Sequence, residues 1–232
     1  MLIAGPCTIE NYEKTLADAR ECKILGVDYF RGGAFKPRTS PYSFQGLREE
    51  GLEILKRIKK EVGIKVVTEI VDAKYLPLYE DIDMLQIGSR NCQNFELLKA
   101  VAACGKPILL KRGFGMTYEE FIGAAEYLTE YGAKEVVLCE RGIKTFETYT
   151  RNTLDLAIVP YIKSKTNYKI IVDPSHGTGH RDLVLPMSRA AIAAGADGIM
   201  VECTLDPALA ITDGFQTINF DELEILKSHC NL

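Results

Sequence analysis

The chain has 232 residues, 47% apolar and 26% charged, with a net charge of −4. That length buries a full core as one large domain or two small ones, and the acidic balance argues against nucleic acid or an anionic membrane as a main partner. No apolar run reaches spanning length, and the opening MLIAGPC has neither a basic stretch nor a cleavable apolar core, so a cytoplasmic protein is expected.

Short β-rich runs alternate with longer helical patterns along the whole chain. The predicted strands are residues 2–4, 28–31, 65–69, 84–87, 108–111, 135–139, 169–172 and 198–201. Runs this short and this apolar suit strands buried on both faces. Between them the periodicity predicts helices at 12–25, 47–62, 73–78, 95–103, 118–131, 154–163, 183–194 and 221–229. Gly26, Gly63, Gly105, Gly132 and Gly195 stand where helices should stop, and Thr117 with Glu120 forms a predicted capping box. Eight such alternations call for parallel strands with helical crossovers. An open doubly wound sheet of the dinucleotide-binding kind should show GxGxxG after its first strand, and GPCTIEN does not match. The expected fold is a single α/β (β/α)₈ TIM barrel over residues 1–232, with no separate regulatory domain.

In such a barrel, ligands and catalysts gather at the C-terminal ends of the strands. Residues 31–46, RGGAFKPRTSPYSFQG, follow the second strand and carry Arg31, Lys36 and Arg38 among prolines, glycines and hydroxyls. Pro37 and Pro41 fix φ and remove donors, which holds the segment in an open turn-rich shape. Arg90, Lys111, Arg112 and Arg141 lie at further strand ends, so seven cations are expected at one mouth of an acidic protein. One phosphate would hardly occupy so many, which implies two phosphorylated or carboxylated substrates. Any one of these cations, taken alone, reads equally well as a solvated surface charge.

A second group comprises Cys7, His176, Glu202 and Asp213, from three separated loops. A thiolate, an imidazole and two carboxylates can close around a divalent transition metal. Each also has a plainer reading: a buried thiol, an ion-pair partner, or a turn residue before Gly214. His176, within DPSHGTGH, is the hardest to dismiss, while His180 and His229 read as ordinary surface histidines. The seven cysteines lack CxxC spacing and cannot all pair, and most are expected to be small buried hydrophobes in a reducing compartment.

These motifs, in order from IAGPCTIE through RGGAFKPRTSPYSFQG, IGSRNCQNFELL, LLKRG, CERGIKTFE, TRNTLDL, VDPSHGTGHRDLV and VECTLDP to TDGFQ, make the chain resemble metal-dependent 3-deoxy-D-arabino-heptulosonate 7-phosphate (DAHP) synthases. The resemblance covers essentially the whole chain and is to the short microbial form without an added regulatory domain. It implies condensation of phosphoenolpyruvate with erythrose 4-phosphate, releasing phosphate, in the first step of the shikimate pathway to aromatic amino acids. It also implies Cys7, His176, Glu202 and Asp213 as ligands of one divalent metal ion (Mn, Fe, Co or Zn). By the same pattern Arg90, Lys111 and Arg141 would hold the phosphate of phosphoenolpyruvate, Arg31 and Lys36 its carboxylate, and Arg38 with Thr39 the sugar phosphate. Lys36 is the candidate proton donor to the new alkoxide, and Glu69 the candidate for orienting the attacking water. Small phosphorylated substrates, no nucleic acid, no membrane, and a homodimer or homotetramer are the expected partners.

Three departures from the pattern stand out. The chain starts almost on its first strand, without the leading hairpin of many relatives, so the barrel floor is expected to be open or covered by another subunit. VECT replaces VEVH, and Lys144 replaces a frequent Arg. With no appended sensor domain, insensitivity to aromatic amino acids is expected. Two alternatives remain open: a 3-deoxy-D-manno-octulosonate 8-phosphate synthase acting on arabinose 5-phosphate, whose loop typically reads KANR rather than KPRT, and a non-catalytic barrel serving as a binding or regulatory subunit, for example of a chorismate mutase.

Overall fold

The computed structural model describes residues 1–38 and 40–232. Eight parallel strands close into a barrel in sequence order: β1 (Leu2–Gly5), β2 (Tyr29–Arg31), β3 (Val66–Glu69), β4 (Met84–Ile87), β5 (Pro107–Lys111), β6 (Glu135–Glu140), β7 (Lys169–Val172) and β8 (Gly198–Glu202). The closing pair aligns Leu2 with Ile199 and Gly5 with Glu202. Outside the barrel run α1 (Tyr12–Ile24), α2 (Glu49–Val62), α3 (Phe95–Ala102), α4 (Tyr118–Glu130), α5 (Ile158–Lys165), α6 (Pro174–Thr178), α7 (Arg181–Ala193) and α8 (Phe220–Cys230). Among the described residues no helix is long and apolar enough to cross a membrane.

Where the structure departs from the expected elements, local chemistry explains it. The third crossover, expected as a helix, is a 3₁₀ segment, Ala73–Tyr79, with Pro77 inside; the ring removes a donor and blocks the α-helical i→i−4 bond. The fifth helix starts at Ile158, four residues later than expected. Asn152 and Thr153 are instead tied to Gly177 and Ile143 by backbone hydrogen bonds. An additional short helix, α6, carries His176; Asp173 caps it by accepting from the His176 N–H, and Pro174 opens it. Thr117 and Glu120 do form the expected capping box. All five expected stop glycines have φ between 64° and 105°, the region that disfavours residues with a Cβ.

The hydrophobic core has two parts. A large cluster lies between the strands and the surrounding helices. A smaller one, Ile3, Val67, Met84, Leu109, Val137, Cys139, Ile171 and Met200, plugs the barrel interior. Strand side chains alternate faces with a period of two, so two residues beyond an inward apolar residue comes another inward position. Val67 leads to Glu69, Met84 to Gln86, Leu109 to Lys111, Cys139 to Arg141, Ile171 to Asp173, and Met200 to Glu202. Strands that fill the barrel thus also deliver polar groups to its C-terminal rim.

Candidate active site

A cleft of about 720 Å³ opens at that rim, within the range of ligand pockets. Its wall carries eight cationic side chains, Arg31, Lys36, Arg38, Arg90, Lys111, Arg141, Lys144 and Arg151, against the carboxylates of Glu69 and Asp213. Ser40, Ser43 and Ser89 add hydroxyls, and Phe114 adds a ring. The Arg90 and Arg141 guanidiniums lie 5.7 and 4.8 Å from the Phe114 centroid. Arg141 is 4% exposed, with its guanidinium donating to the Gly142 carbonyl at a long 3.4 Å. Burial holds its basicity below the usual arginine range, although Asp173 counteracts. A buried cation with so little internal compensation is suited to an incoming anion.

The loop after β2 is tied back to the start of the chain. The Gly33 N–H donates to the Cys7 carbonyl, the Ile9 N–H donates to the Gly33 carbonyl, and the Lys36 N–H donates to the Gln45 carbonyl. Glycine at 5 is required, because a Cβ there would stand 2.2 Å from the Arg31 carbonyl oxygen. The same packing directs Lys36 inward, its Nζ 2.9 Å from Cys7 Sγ and 3.1 Å from the Cys7 carbonyl. Gly88 has a comparable function: a Cβ there would lie 2.1 Å from Glu69 Oε1. Glu69 accepts from Gln86 Nε2 at 3.2 Å, and its backbone carbonyl accepts from the Tyr79 hydroxyl.

Cys7, His176, Glu202 and Asp213 each offer one ligand atom, and these atoms lie within 4.8 Å of one another. Asp213 Oδ2 accepts from Cys7 Sγ at 3.1 Å. Asp213 adopts φ 56°, a conformation tolerated by Asp better than by most residues. Asp173, fully buried, accepts from Lys111 Nζ at 2.5 Å and takes His176 Nδ1 at 2.7 Å. That contact turns Nε2 toward Glu202 Oε1, 3.0 Å away. A carboxylate fixing one imidazole nitrogen so that the other faces a ligand cluster is the arrangement that metal-binding histidines adopt. The donor set and its support therefore fit a transition metal.

The electrostatics are tightly coupled. Burial alone would push the His176 imidazolium down, but Asp173 and Glu202 outweigh it and raise its pKa to about 9. For Asp173, burial opposes ionisation, while His176 and Lys111 outweigh it and hold the carboxyl well below its usual range. Glu202 behaves likewise, with His176 and Arg31 overcoming its burial. Arg31 Nη1 reaches Glu202 Oε1 at 2.9 Å, and Arg31 Nε is buried with no hydrogen-bond partner among the described residues. Occupation of the cluster by a cation would displace the proton from His176 Nε2, so metal affinity should rise with pH.

Nine of the sequence-predicted residues line this cleft: Arg31, Lys36, Arg38, Glu69, Arg90, Lys111, Arg141, His176 and Asp213. Cys7 and Glu202 join through the ligand cluster. Thr39 lies outside the described residues. Arg112, expected among the converging cations, is a correction. It bonds Glu140 and Asp155 at 2.9 Å each and the Met116 carbonyl, facing away from the cleft. Arg151, Asp173, Gln86 and Gln216 take part without having been assigned roles from sequence. Alternation along the strand could have found Asp173 and Gln86, whereas Arg151 sits in a loop and Gln216 ends a single 3₁₀ turn, Gly214–Gln216, neither of which gives a periodic signal.

A closed parallel barrel with a cationic cleft beside a thiol, imidazole and carboxylate cluster defines a class of (β/α)₈ barrel suited to phosphorylated ligands. Within that class, the profile of the DAHP synthetase I family matches residues 1–231, and the chain belongs to this family. It is 52% identical over 221 residues to a phospho-2-dehydro-3-deoxyheptonate aldolase of Thermotoga maritima, covering 95% of this chain and 65% of that relative. A 2-dehydro-3-deoxyphosphooctonate aldolase of Desulfotalea psychrophila is 32% identical over 245 residues, covering 97% of this chain and 86% of the relative. Among solved structures, the Thermotoga maritima phospho-2-dehydro-3-deoxyheptonate aldolase superposes with a TM-score of 0.95 at 49% identity, over 100% of this chain and 68% of that one. A truncated form of the Thermotoga synthase gives 0.91 at 45% identity, over 100% and 85%.

Proposed function

We propose that the chain condenses phosphoenolpyruvate with erythrose 4-phosphate to give DAHP and phosphate. The observation that carries this reading is the convergence of eight cations over one cleft that also contains His176 and Asp213 of the ligand cluster. Two phosphates and a carboxylate need several cationic partners, and the cleft provides them. The 52% identity to a phospho-2-dehydro-3-deoxyheptonate aldolase supports the four-carbon sugar over the five-carbon one, whose named relative stands at 32%.

In this mechanism Arg90, Lys111 and Arg141 grip the phosphate of phosphoenolpyruvate, and Arg31 with Lys36 its carboxylate. Arg38, with Thr39 beside it in sequence, takes the phosphate of the sugar. Cys7, His176, Glu202 and Asp213 would hold a divalent ion, which supplies Lewis acidity toward the sugar carbonyl. With both substrates clamped, the methylene carbon of phosphoenolpyruvate bonds to the aldehyde carbon. Lys36 Nζ then delivers a proton to the new alkoxide. Glu69, steadied by Gln86, orients the water that adds at the former enol carbon, and C–O cleavage expels inorganic phosphate. Manganese, iron, cobalt and zinc all suit this mixed donor set. The proposal includes a cytoplasmic setting, which suits seven cysteines that are all free thiols. It also includes a homodimer or homotetramer, for which exposed Leu209, Ile211 and Phe215 supply apolar surface.

The test measures phosphate release with erythrose 4-phosphate and, separately, arabinose 5-phosphate. Faster release with the five-carbon sugar would overturn the substrate assignment, and no release with either would overturn the activity. Lys36→Met should abolish turnover with manganese content unchanged; near-normal turnover removes Lys36 from its role.

A further inference from the structure

Glu202 has both carboxylate oxygens engaged, by different partners. Oε1 receives Arg31 Nη1 at 2.9 Å and faces His176 Nε2 at 3.0 Å. Oε2 accepts from the amide of Gln216 at 2.5 Å. Gln216 is fully buried, and its own carbonyl oxygen accepts from Arg151 Nη1 at 3.0 Å. Arg151 also reaches Asp213 Oδ1 at 3.3 Å, and the Gln216 N–H donates to the Asp213 carbonyl at 3.1 Å. The orientation of the Gln216 amide is set by chemistry: a flip would turn its oxygen to a carboxylate and its NH₂ to a guanidinium.

We propose that Gln216 is the positioning residue of the metal centre: its amide restricts Glu202 to ligation through Oε1 alone and, through Arg151, keeps Asp213 aimed at the same point. A carboxylate with one oxygen tied by a neutral donor presents a single, directed lone-pair set. Released from that donor, it can swing or bind through both oxygens, which changes the geometry and the preferred ion. Arg151 is the second half of the device, because one guanidinium links the Gln216 amide to the second carboxylate of the cluster. Neither Gln216 nor Arg151 is itself a ligand. The inference rests on the metal-site reading in the proposed function and adds which oxygen binds and what enforces it.

The test titrates Mn²⁺ into wild type, Gln216→Leu and Gln216→Met, following free Mn²⁺ by electron paramagnetic resonance. Gln216→Met keeps the length and volume of the side chain and adds no charge while removing the donor to Glu202. Both variants should bind Mn²⁺ about 10- to 100-fold more weakly, the usual effect of removing a group that orients a ligand. Metal-free melting temperatures would show the fold intact. Gln216→Met binding within twofold of wild type would overturn the proposal. A crystal structure of Mn²⁺-loaded wild type gives an independent readout. One Glu202 oxygen on the ion with Gln216 on the other supports the proposal, and both oxygens on the ion overturns it. Failure of wild type to take up Mn²⁺ would instead remove the metal centre itself, and this inference with it.

Discussion

Arg112 and Arg141 are both buried arginines beside the cleft, 3% and 4% exposed, yet their surroundings give them opposite roles. Arg112 is compensated: Glu140 and Asp155 each bond it at 2.9 Å, and Tyr118 donates to Asp155. Arg141 has no such carboxylate in hydrogen-bond contact among the described residues. Removing one member of a buried ion network leaves a desolvated charge behind, at a cost of about 3–5 kcal/mol. Arg112→Met should therefore lower the stability in denaturant unfolding by about that amount while phosphate binding stays within twofold. A variant as stable as wild type, or one that has lost phosphate affinity, would return Arg112 to the cleft. The sequence contained the means to separate the two. Lys111 points into the barrel, so its neighbour Arg112 points out by alternation, while Arg141 follows inward Cys139 by two. Gln216 was illegible at this scale, because a polar residue in a turn gives no sign of the carboxylate it will meet.

Among the elements, α1 carries a buried acid that the chemistry of the cleft does not use. Asp18 is 3% exposed, and burial pushes its carboxyl up to about 6, against opposing hydrogen bonds from the Leu205 N–H and the Thr204 hydroxyl. Glu10 adds to the rise and Lys14 reduces it. Because this pKa is raised above the ordinary value of 3.8, the native state retains a proton that the unfolded chain gives up. The associated stability is fully present below about pH 4 and is lost as the pH rises through 6. A two-unit rise corresponds to about 3 kcal/mol. Unfolding free energies of wild type minus Asp18→Asn should fall by about that amount between pH 4 and 7, and a difference flat with pH would refute the assignment. The strands themselves were readable from their short apolar runs, because burial on both faces leaves only one kind of residue acceptable. Helix boundaries were less so. Pro77 replaced one helix with a 3₁₀ segment, and α6 is too short for its five residues to show a period.

For the whole molecule, the distribution of charge outweighs its sum. The net charge of −4 would repel phosphate from a uniformly charged body, and added salt would then tighten binding by screening the repulsion. The cleft instead concentrates eight cations against two carboxylates, so local attraction governs and salt should weaken phosphate binding. Titration calorimetry at rising sodium chloride distinguishes the two, and affinity that increases with salt would refute local control. A barrel of alternating elements was legible in the chain because each crossover repeats the same pattern. The cleft was legible in its charged members only, since its glycines and amides act by contact geometry.

The inward faces of six strands each place a plug residue and a rim residue two positions apart. An insertion or deletion of one residue inside β3, β5 or β7 would be felt twice. It would leave a gap where Val67, Leu109 or Ile171 belongs, and it would turn Glu69, Lys111 or Asp173 toward the helices. A one-residue change of length should therefore be tolerated in the loops at the strand ends and not within these strands, which hold plug and rim in one frame.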